Sequence, residues 1–544
     1  MTIAEVALSD FLAYAETLSE QDQADAFYLR HRDDLALFAC TYFPERFTSP
    51  YNALHRDLAS RPKTPWHERA RMQRSADAAP RGAAKSTLES FASIVHDACY
   101  GFELYVALIS TTYDLAEDLV EDLHGVFTDP EGYEDLHRDY GPFRVKGTRT
   151  DFVVHVPGQD PRGMRVKAFS FGGTIRGTKH AGVRPTKIGI DDGEHPEKVR
   201  SPDQRAKTWA FLTKDIQKAG RNYTVIRVVG TVLHADSMLA NLLSAPAWTS
   251  TRWRSIISWP TRMDLWERCR LLWADLTDAN RVETAQAFYE ANRSEMNAGA
   301  EVLWEEEEPL FDLMEQWWED PAAFYSEKQN EPRDPTRQVF DVEDFKRCHF
   351  DGVTITAHGG RKVRLRDCTV RLWLDPSIGK KMGSDFAALA ALVRDTHGYR
   401  YVLKCQLLKA PPSQQRAITW DLWEMMGGTS DVVLGVEDNG FQALYGEDFK
   451  REQDQRRRDG RVWSMAVRQY TSSENKEDRI SRLEPAAVNG WLQFADDLDP
   501  RVLEQFRDFP TGSHDDGPDA IERADWMLSE GSGMAVARSG PSLR

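Results

Sequence analysis

At 544 residues, 41 % of them hydrophobic and including 16 Trp and 25 Phe, the chain is long enough for two or three domains with their own cores and too apolar for an extended disordered polypeptide. A formal charge of −17 excludes a protein that coats nucleic acid by bulk electrostatics. It leaves room for a local basic groove, as in residues 361–366 or 456–461, or for a ring with its positive charge turned inward. No apolar run reaches the length of a membrane span, and the first ten residues lack a basic start followed by an apolar core. The six cysteines are scattered without a CxxC pair. The expectation is therefore a cytosolic protein with reduced cysteines, no membrane association and no zinc site.

In chain order, residues 10–39 read as helical, acidic and aromatic. Pro44 and Pro50 mark loops, and a helix restarts at 54–58. Then comes APRGAAKST (79–87). A phosphate-binding loop needs small residues, so that backbone N–H groups approach the phosphates. It also needs a Lys to reach the β/γ oxygens and a hydroxyl for the metal. Lys85 and Ser86 stand at those positions, followed by Thr87, whereas Ala79 and Ala84 replace the two glycines of the generic motif. Taken alone, the stretch is equally an ordinary helix start.

A helix over 86–100, a strand at 105–110 and a helix from 114 follow. TKIGIDDGE (186–194) is an apolar strand ending in acids, the form of a Walker B element, although by itself it is also an acidic turn. Asp191 would hold Mg²⁺ with Ser86, and either Asp192 or Glu194 would polarise the attacking water. A further strand, 224–231, ends in Gly230-Thr231. Strands alternating with helices, with phosphate chemistry at strand ends, predict a parallel α/β nucleotide fold.

These motifs resemble the large terminase subunit of tailed bacteriophages: APRGAAKST, IGIDDGE and VVGTVLH look like its ATPase motifs, and FYSEKQNEP (324–332) is similar to that family too. The resemblance implies a P-loop NTPase of the ASCE type in which Arg81 of the deviant loop contacts the γ-phosphate. Arg81, Gly82, Lys85, Ser86 and Thr87 would bind ATP, and Gly230-Thr231 would couple hydrolysis to motion. It also implies a lid subdomain at about 253–325 within a motor region spanning 1–335. The Pro-containing, charged stretch 329–340 marks the domain boundary, leaving 336–365 as linker.

In the second half, strands are expected at 370–375, 385–394 and 399–408, a helix around 414–426, strands at 432–437 and near 463–469, then closing helices. That is the order of an RNase H-like domain over 366–528. Acids fall at its strand ends and on its last helix: Asp375, Glu437, and Asp515, Asp516 and Asp519. Two Mg²⁺ or Mn²⁺ ions about 3.5–4 Å apart, held by such oxygens, cut phosphodiesters. Asp375 is the natural bridging ligand, and Asp516 and Asp519, a turn apart, share a helix side. Asp385 and Asp438 are possible additional ligands. HDDGPDA alone reads as an ordinary helix N-terminus.

DPSIG, GVEDNG and FPTGSHDDGPDA resemble the nuclease domain of the same family, which implies an endodeoxyribonuclease behind an ATP-driven motor. By resemblance the chain would thread double-stranded DNA into a procapsid and cut the concatemer. It would act as a pentameric ring on the portal protein with a small terminase subunit, in the host cytoplasm and absent from the mature virion. The tail 529–544, rich in Gly, Ser and Pro, is expected to be disordered. Two other classes compete. A repair or restriction helicase–nuclease would need a second motor domain where this chain carries a nuclease. A catalytically dead portal-docking scaffold would follow if the Ala-substituted loop cannot bind nucleotide.

Overall fold

The computed structural model describes residues 28–332, 338–377, 386–437, 443–460, 465–470 and 474–530. Asp385, Asp438 and the tail beyond 530 lie outside the described residues. The chain divides into two compact units, Met1–Arg262 with Asn297–Asp334, and Met263–Met296 with Pro335–Arg544.

The first unit is built on an eight-stranded sheet. Its strands are β1 (Gln73–Ala78), β2 (Tyr105–Ser110), β3 (Arg144–Thr148), β4 (Asp151–His155), β5 (Met164–Ser170), β6 (Lys187–Asp191), β7 (Val225–Gly230) and β8 (Thr249–Arg252). The order is β3-β4-β5-β2-β6-β7-β1-β8, with every pair from β5 to β8 parallel and β3 and β4 added antiparallel at one edge. β2 (YVALIS) is buried at all six positions, as a strand covered on both faces must be. One face packs on Phe91, Val95, Val120 and Phe127, the other on Leu212, Ile216 and Leu242. β7 separates β1 from β6, so the phosphate-loop strand and the acid-tipped strand are one strand apart. This is the ASCE order.

A two-stranded ribbon, β9 (Ile256–Ser258) with β10 (Glu301–Val302), also belongs to this unit. Between its strands run the helices Met263–Trp273 and Arg281–Met296, which belong to the second unit. The stretch expected as a lid is thus split between the units. The Trp273 ring lies 5.3 Å from that of Trp491, and Trp491 Nε1 donates to Ala274 O at 2.7 Å. Periodicity reveals that a helix has an apolar side, but not what covers it.

The second unit carries a nine-stranded sheet. Its strands are β11 (Arg347–Phe350), β12 (Thr354–Thr356), β13 (Lys362–Arg364), β14 (Thr369–Asp375), β15 (Ala387–Arg394), β16 (Arg400–Leu408), β17 (Val433–Glu437), β18 (Ala466–Tyr470) and β19 (Leu492–Ala495). The order is β13-β12-β11-β19-β16-β15-β14-β17-β18. Within it, β16-β15-β14 are antiparallel neighbours and β14-β17-β18 are parallel, the RNase H-like arrangement. The stretch expected as a linker supplies β11–β13 instead, strands of three or four residues too short to announce themselves by alternation. The helix Asp516–Glu530 packs across β14 and β15. Its close crossing has a local cause: a Cβ on Gly435 would stand 2.4 Å from Met527 Sδ and from the Trp373 ring.

Candidate functional site

In the first unit β1 ends at Ala78, a loop follows, and a helical run begins at Lys85, so the strand–loop–helix geometry of a phosphate loop is present. Gly82 (φ +87°) and Ala84 (φ +51°) both adopt left-handed conformations. At position 84 the loop pays the Cβ penalty that a Gly would avoid. Lys85 is buried, and its Nζ donates to Thr231 Oγ1 at 3.3 Å and lies 3.7 Å from Asp192 Oδ2. Ser86 Oγ donates to Asp191 Oδ1 at 2.8 Å. Thr87 begins a π-helical turn, Thr87–Ala92. Lys85, Ser86, Asp191, Asp192 and Thr231, from three separate elements, therefore meet.

Burial raises the pKa of Asp191, with repulsion from Asp192 adding to it. Asp192 has φ +43° and keeps its side chain half exposed beside Lys85. Glu194 is engaged elsewhere, accepting from the backbone N–H groups of Met238 (2.7 Å) and Leu239 (3.1 Å) at the start of a helix. Arg81 is exposed and ion-paired with Glu327 at 2.7 Å.

The residues that hold this loop come from far along the chain, and sequence reasoning assigned them no role. Arg81 N–H donates to Glu327 O at 2.8 Å, and Lys328 Nζ donates to Arg81 O at 2.8 Å. Asn330, fully buried at φ +53°, accepts from Val232 N–H and donates to Trp253 O, both at 2.8 Å. The available signal was the concentration of charged and amide side chains in FYSEKQNEP.

In the second unit, Leu374 pairs in register with Val436, so Asp375 and Glu437, one step further on, sit side by side at the ends of adjacent parallel strands. Burial first, then repulsion from Glu437, Asp519 and Asp516, raises the Asp375 carboxyl to about 8. The last helix thus brings Asp516 and Asp519 within electrostatic reach of the two strand ends. The backbone carbonyl of Asp515, just before that helix, accepts the Asp519 N–H at 3.0 Å. Two cations face the acids from the short helix Lys476–Ser481. Lys476 Nζ lies 2.7 Å from Asp515 and 3.2 Å from Asp519, and Arg479 lies 2.9 Å from Asp519 and 3.0 Å from Glu522.

Among the described residues, no three His, Cys, Asp or Glu side chains form a ready-made metal cage. Like charges repel across Asp375, while Lys476 and Arg479 draw Asp519 toward themselves. The donor set nevertheless suits a hard divalent ion: all oxygen, largely buried and strongly negative. No described helix is long and apolar enough to cross a membrane.

No protein-family model matches the sequence, and no curated protein does. Among solved structures, the chain is similar to the large terminase of a thermophilic bacteriophage. The match has 10 % identity and a TM-score of 0.40, over 89 % of this chain and 99 % of that one. The ATPase domain of a Thermus phage large terminase matches at 12 % identity and a TM-score of 0.29, over 54 % of this chain and 98 % of that one. The terminase nuclease domain of human cytomegalovirus matches at 14 % identity and a TM-score of 0.23, over 29 % of this chain and 82 % of that one.

Proposed function

We propose that the protein is an ATP-driven DNA-packaging motor fused to a divalent-metal-dependent endodeoxyribonuclease, the large subunit of a terminase. One observation carries this reading. A single chain unites a phosphate loop facing paired acids on an ASCE sheet with carboxylates at the adjacent strand ends of an RNase H-like sheet.

In the motor, Lys85 holds the β/γ-phosphate oxygens, and the backbone of 81–87 cradles the phosphates. Ser86 and Asp191 are already joined and would hold the nucleotide's Mg²⁺. Asp192 is the preferred acid for orienting water, because it stands beside Lys85 while Glu194 is committed to a helix start. Arg81 reaches a γ-phosphate only by leaving Glu327, so substrate would compete with that ion pair. Thr231, bonded to both Lys85 and Ala79 O, links the end of β7 to the loop and is the natural relay of hydrolysis to motion.

In the nuclease, Asp375, Glu437, Asp516 and Asp519, with Asp515 beside them, are the ligand set for Mg²⁺ or Mn²⁺. A divalent ion there supplies Lewis acidity at the scissile phosphate. The chain's own residues set its position, through β14, β17 and the last helix. The remaining parts of the proposal are a pentameric ring on the portal protein, delivery of double-stranded DNA by a small terminase subunit, and transient action in the host cytoplasm.

Two variants test the two halves separately. Lys85→Ala should lose ATP turnover at least a hundredfold and keep Mn²⁺-dependent nicking of plasmid DNA. Asp375→Ala should do the reverse. Equal ATP turnover by wild type and Lys85→Ala, with DNA and portal present, removes the motor; persistent nicking by purified Asp375→Ala moves the nuclease centre elsewhere.

A further inference from the structure

We infer that Lys409 is a substrate-binding residue of the nuclease centre, gripping a backbone phosphate beside the one to be cut, so that the DNA strand reaches the acids over the ends of β15 and β16. The inference rests on the metal-dependent nuclease reading and adds the cation that meets its substrate.

Register places Lys409 at the acids' end of the sheet. Asp375, closing β14, pairs with Ala388 of β15, and Ala388 pairs with Leu407 of β16, two residues before Lys409. β14 and β16 are two strand spacings apart, about 10 Å. The Lys409 ammonium stands 4.5 Å from the centre of the Phe386 ring, and Phe386 packs on the core that Ala388 and Trp373 share with the last helix. The same ring meets His514 edge-on at 5.2 Å, and His514 Nδ1 lies 3.6 Å from Asp516 Oδ2. A continuous line of contacts thus runs from Lys409 to the acids heading the last helix. The backbone is fixed as well. Gln415 is buried, and its Nε2 donates to Ser377 O, just beyond Asp375, and to Ala410 O, just beyond Lys409, both at 2.8 Å. Pro411 and Pro412, at the start of the next helix, restrict the chain further.

The neighbouring cations are already neutralised by carboxylates. Lys476 and Arg479 pair with Asp515, Asp519 and Glu522, Arg501 pairs with Asp499, and Lys404 with Asp497. Lys409 is exposed and makes no ion pair among the described residues. A phosphodiester approaching a cluster of carboxylates needs positive charge that no protein acid cancels. The Phe386 ring attracts the ammonium through its quadrupole and leaves its donors open to phosphate oxygens.

The test is Mn²⁺-dependent nicking of plasmid DNA by the full chain, with kcat and KM resolved. Lys409→Gln should raise the KM for DNA about tenfold and leave kcat within about twofold, because a charge-assisted hydrogen bond to a non-reacting phosphate serves ground and transition states alike. The slope of log(kcat/KM) against log salt should flatten by about one. Lys409→Arg should restore both, and the Mn²⁺ concentration giving half-maximal nicking should not move. Thermal melts check that both variants keep the fold. An unchanged KM and salt slope in folded Lys409→Gln, an equal loss in Lys409→Arg, or a shift in Mn²⁺ dependence in place of KM overturns the assignment of Lys409 and leaves the nuclease reading standing. No nicking by wild type removes the nuclease reading and the inference with it.

Discussion

His96, on the helix that continues from the phosphate loop, shows what one buried side chain contributes. Its Nε2 lies 2.9 Å from His31 O and its Nδ1 lies 3.0 Å from Lys63 Nζ. An ammonium can only donate, so Nδ1 accepts, Nε2–H donates, and the ring is neutral. Asp97 binds Lys63 and Lys187, each at 2.7 Å, and the Phe38, Tyr100 and Phe102 rings enclose the imidazole. Burial first, then Lys63, pushes the His96 pKa well below its ordinary value. The sign of the effect follows. Below about pH 6.5 the unfolded chain gains a proton that the native state refuses, so stability falls as pH falls. The expected loss is about 1 kcal/mol by roughly pH 5.5. His96→Gln can keep both hydrogen bonds without the titration and should flatten that slope in denaturant unfolding between neutral and mildly acidic pH. Equal slopes in the two proteins would refute this account.

At the scale of elements, the proposed nuclease centre depends on how closely one helix crosses one strand. Gly435 is the contact point, where an added methyl would meet Met527 and Trp373 at 2.4 Å. Gly435→Ala should cost about 1–3 kcal/mol by overpacking. It should also lift the helix Asp516–Glu530 off β17, reducing nicking at least tenfold while ATP turnover is unchanged. Unaltered nicking would mean that the helix tolerates the shift and that its acids matter less than proposed. The three strands 369–375, 387–394 and 400–408 and the carboxylates ending β14 and β17 were legible because hydrophobic runs and strand-end carboxylates are local signals. The cradle of the phosphate loop was not. Arg81 of the loop meets Glu327 across 246 positions, a pairing no local pattern encodes.

At the scale of the whole molecule, the chain carries two sheets with separate hydrophobic cores, one in each compact unit. The helical hairpin 263–296 is held in the second unit through Trp491, which meets Trp273, lies under Arg281 and donates to Ala274 O. Arg270 adds a 2.8 Å bond to Asn489 Oδ1. Trp491→Ala should therefore free the hairpin, seen as faster amide hydrogen exchange over 263–296 with little change in β14–β17. Unchanged protection there would show that the remaining contacts suffice. On the proposed packaging function, the isolated chain should also cut plasmid DNA slowly and without sequence preference, because a nuclease coupled to translocation must wait. Rapid site-specific cleavage by the lone protein would contradict that.

Several features of this protein are written locally. A Lys-Ser at the start of a helix, paired acids after an apolar strand, and carboxylates closing two strands are each visible as residue types, and their order along the chain marks them together where none does alone. Other features exist only in three dimensions. The preference for Asp192 over Glu194 depends on a helix start at Met238, and the split of residues 253–325 depends on where two tryptophans find each other. The two cations facing the acids of the last helix, Lys476 and Arg479, come from a six-residue helix. Charge and apolar surface act across space, and the partner that satisfies them is chosen by the packing of the whole fold.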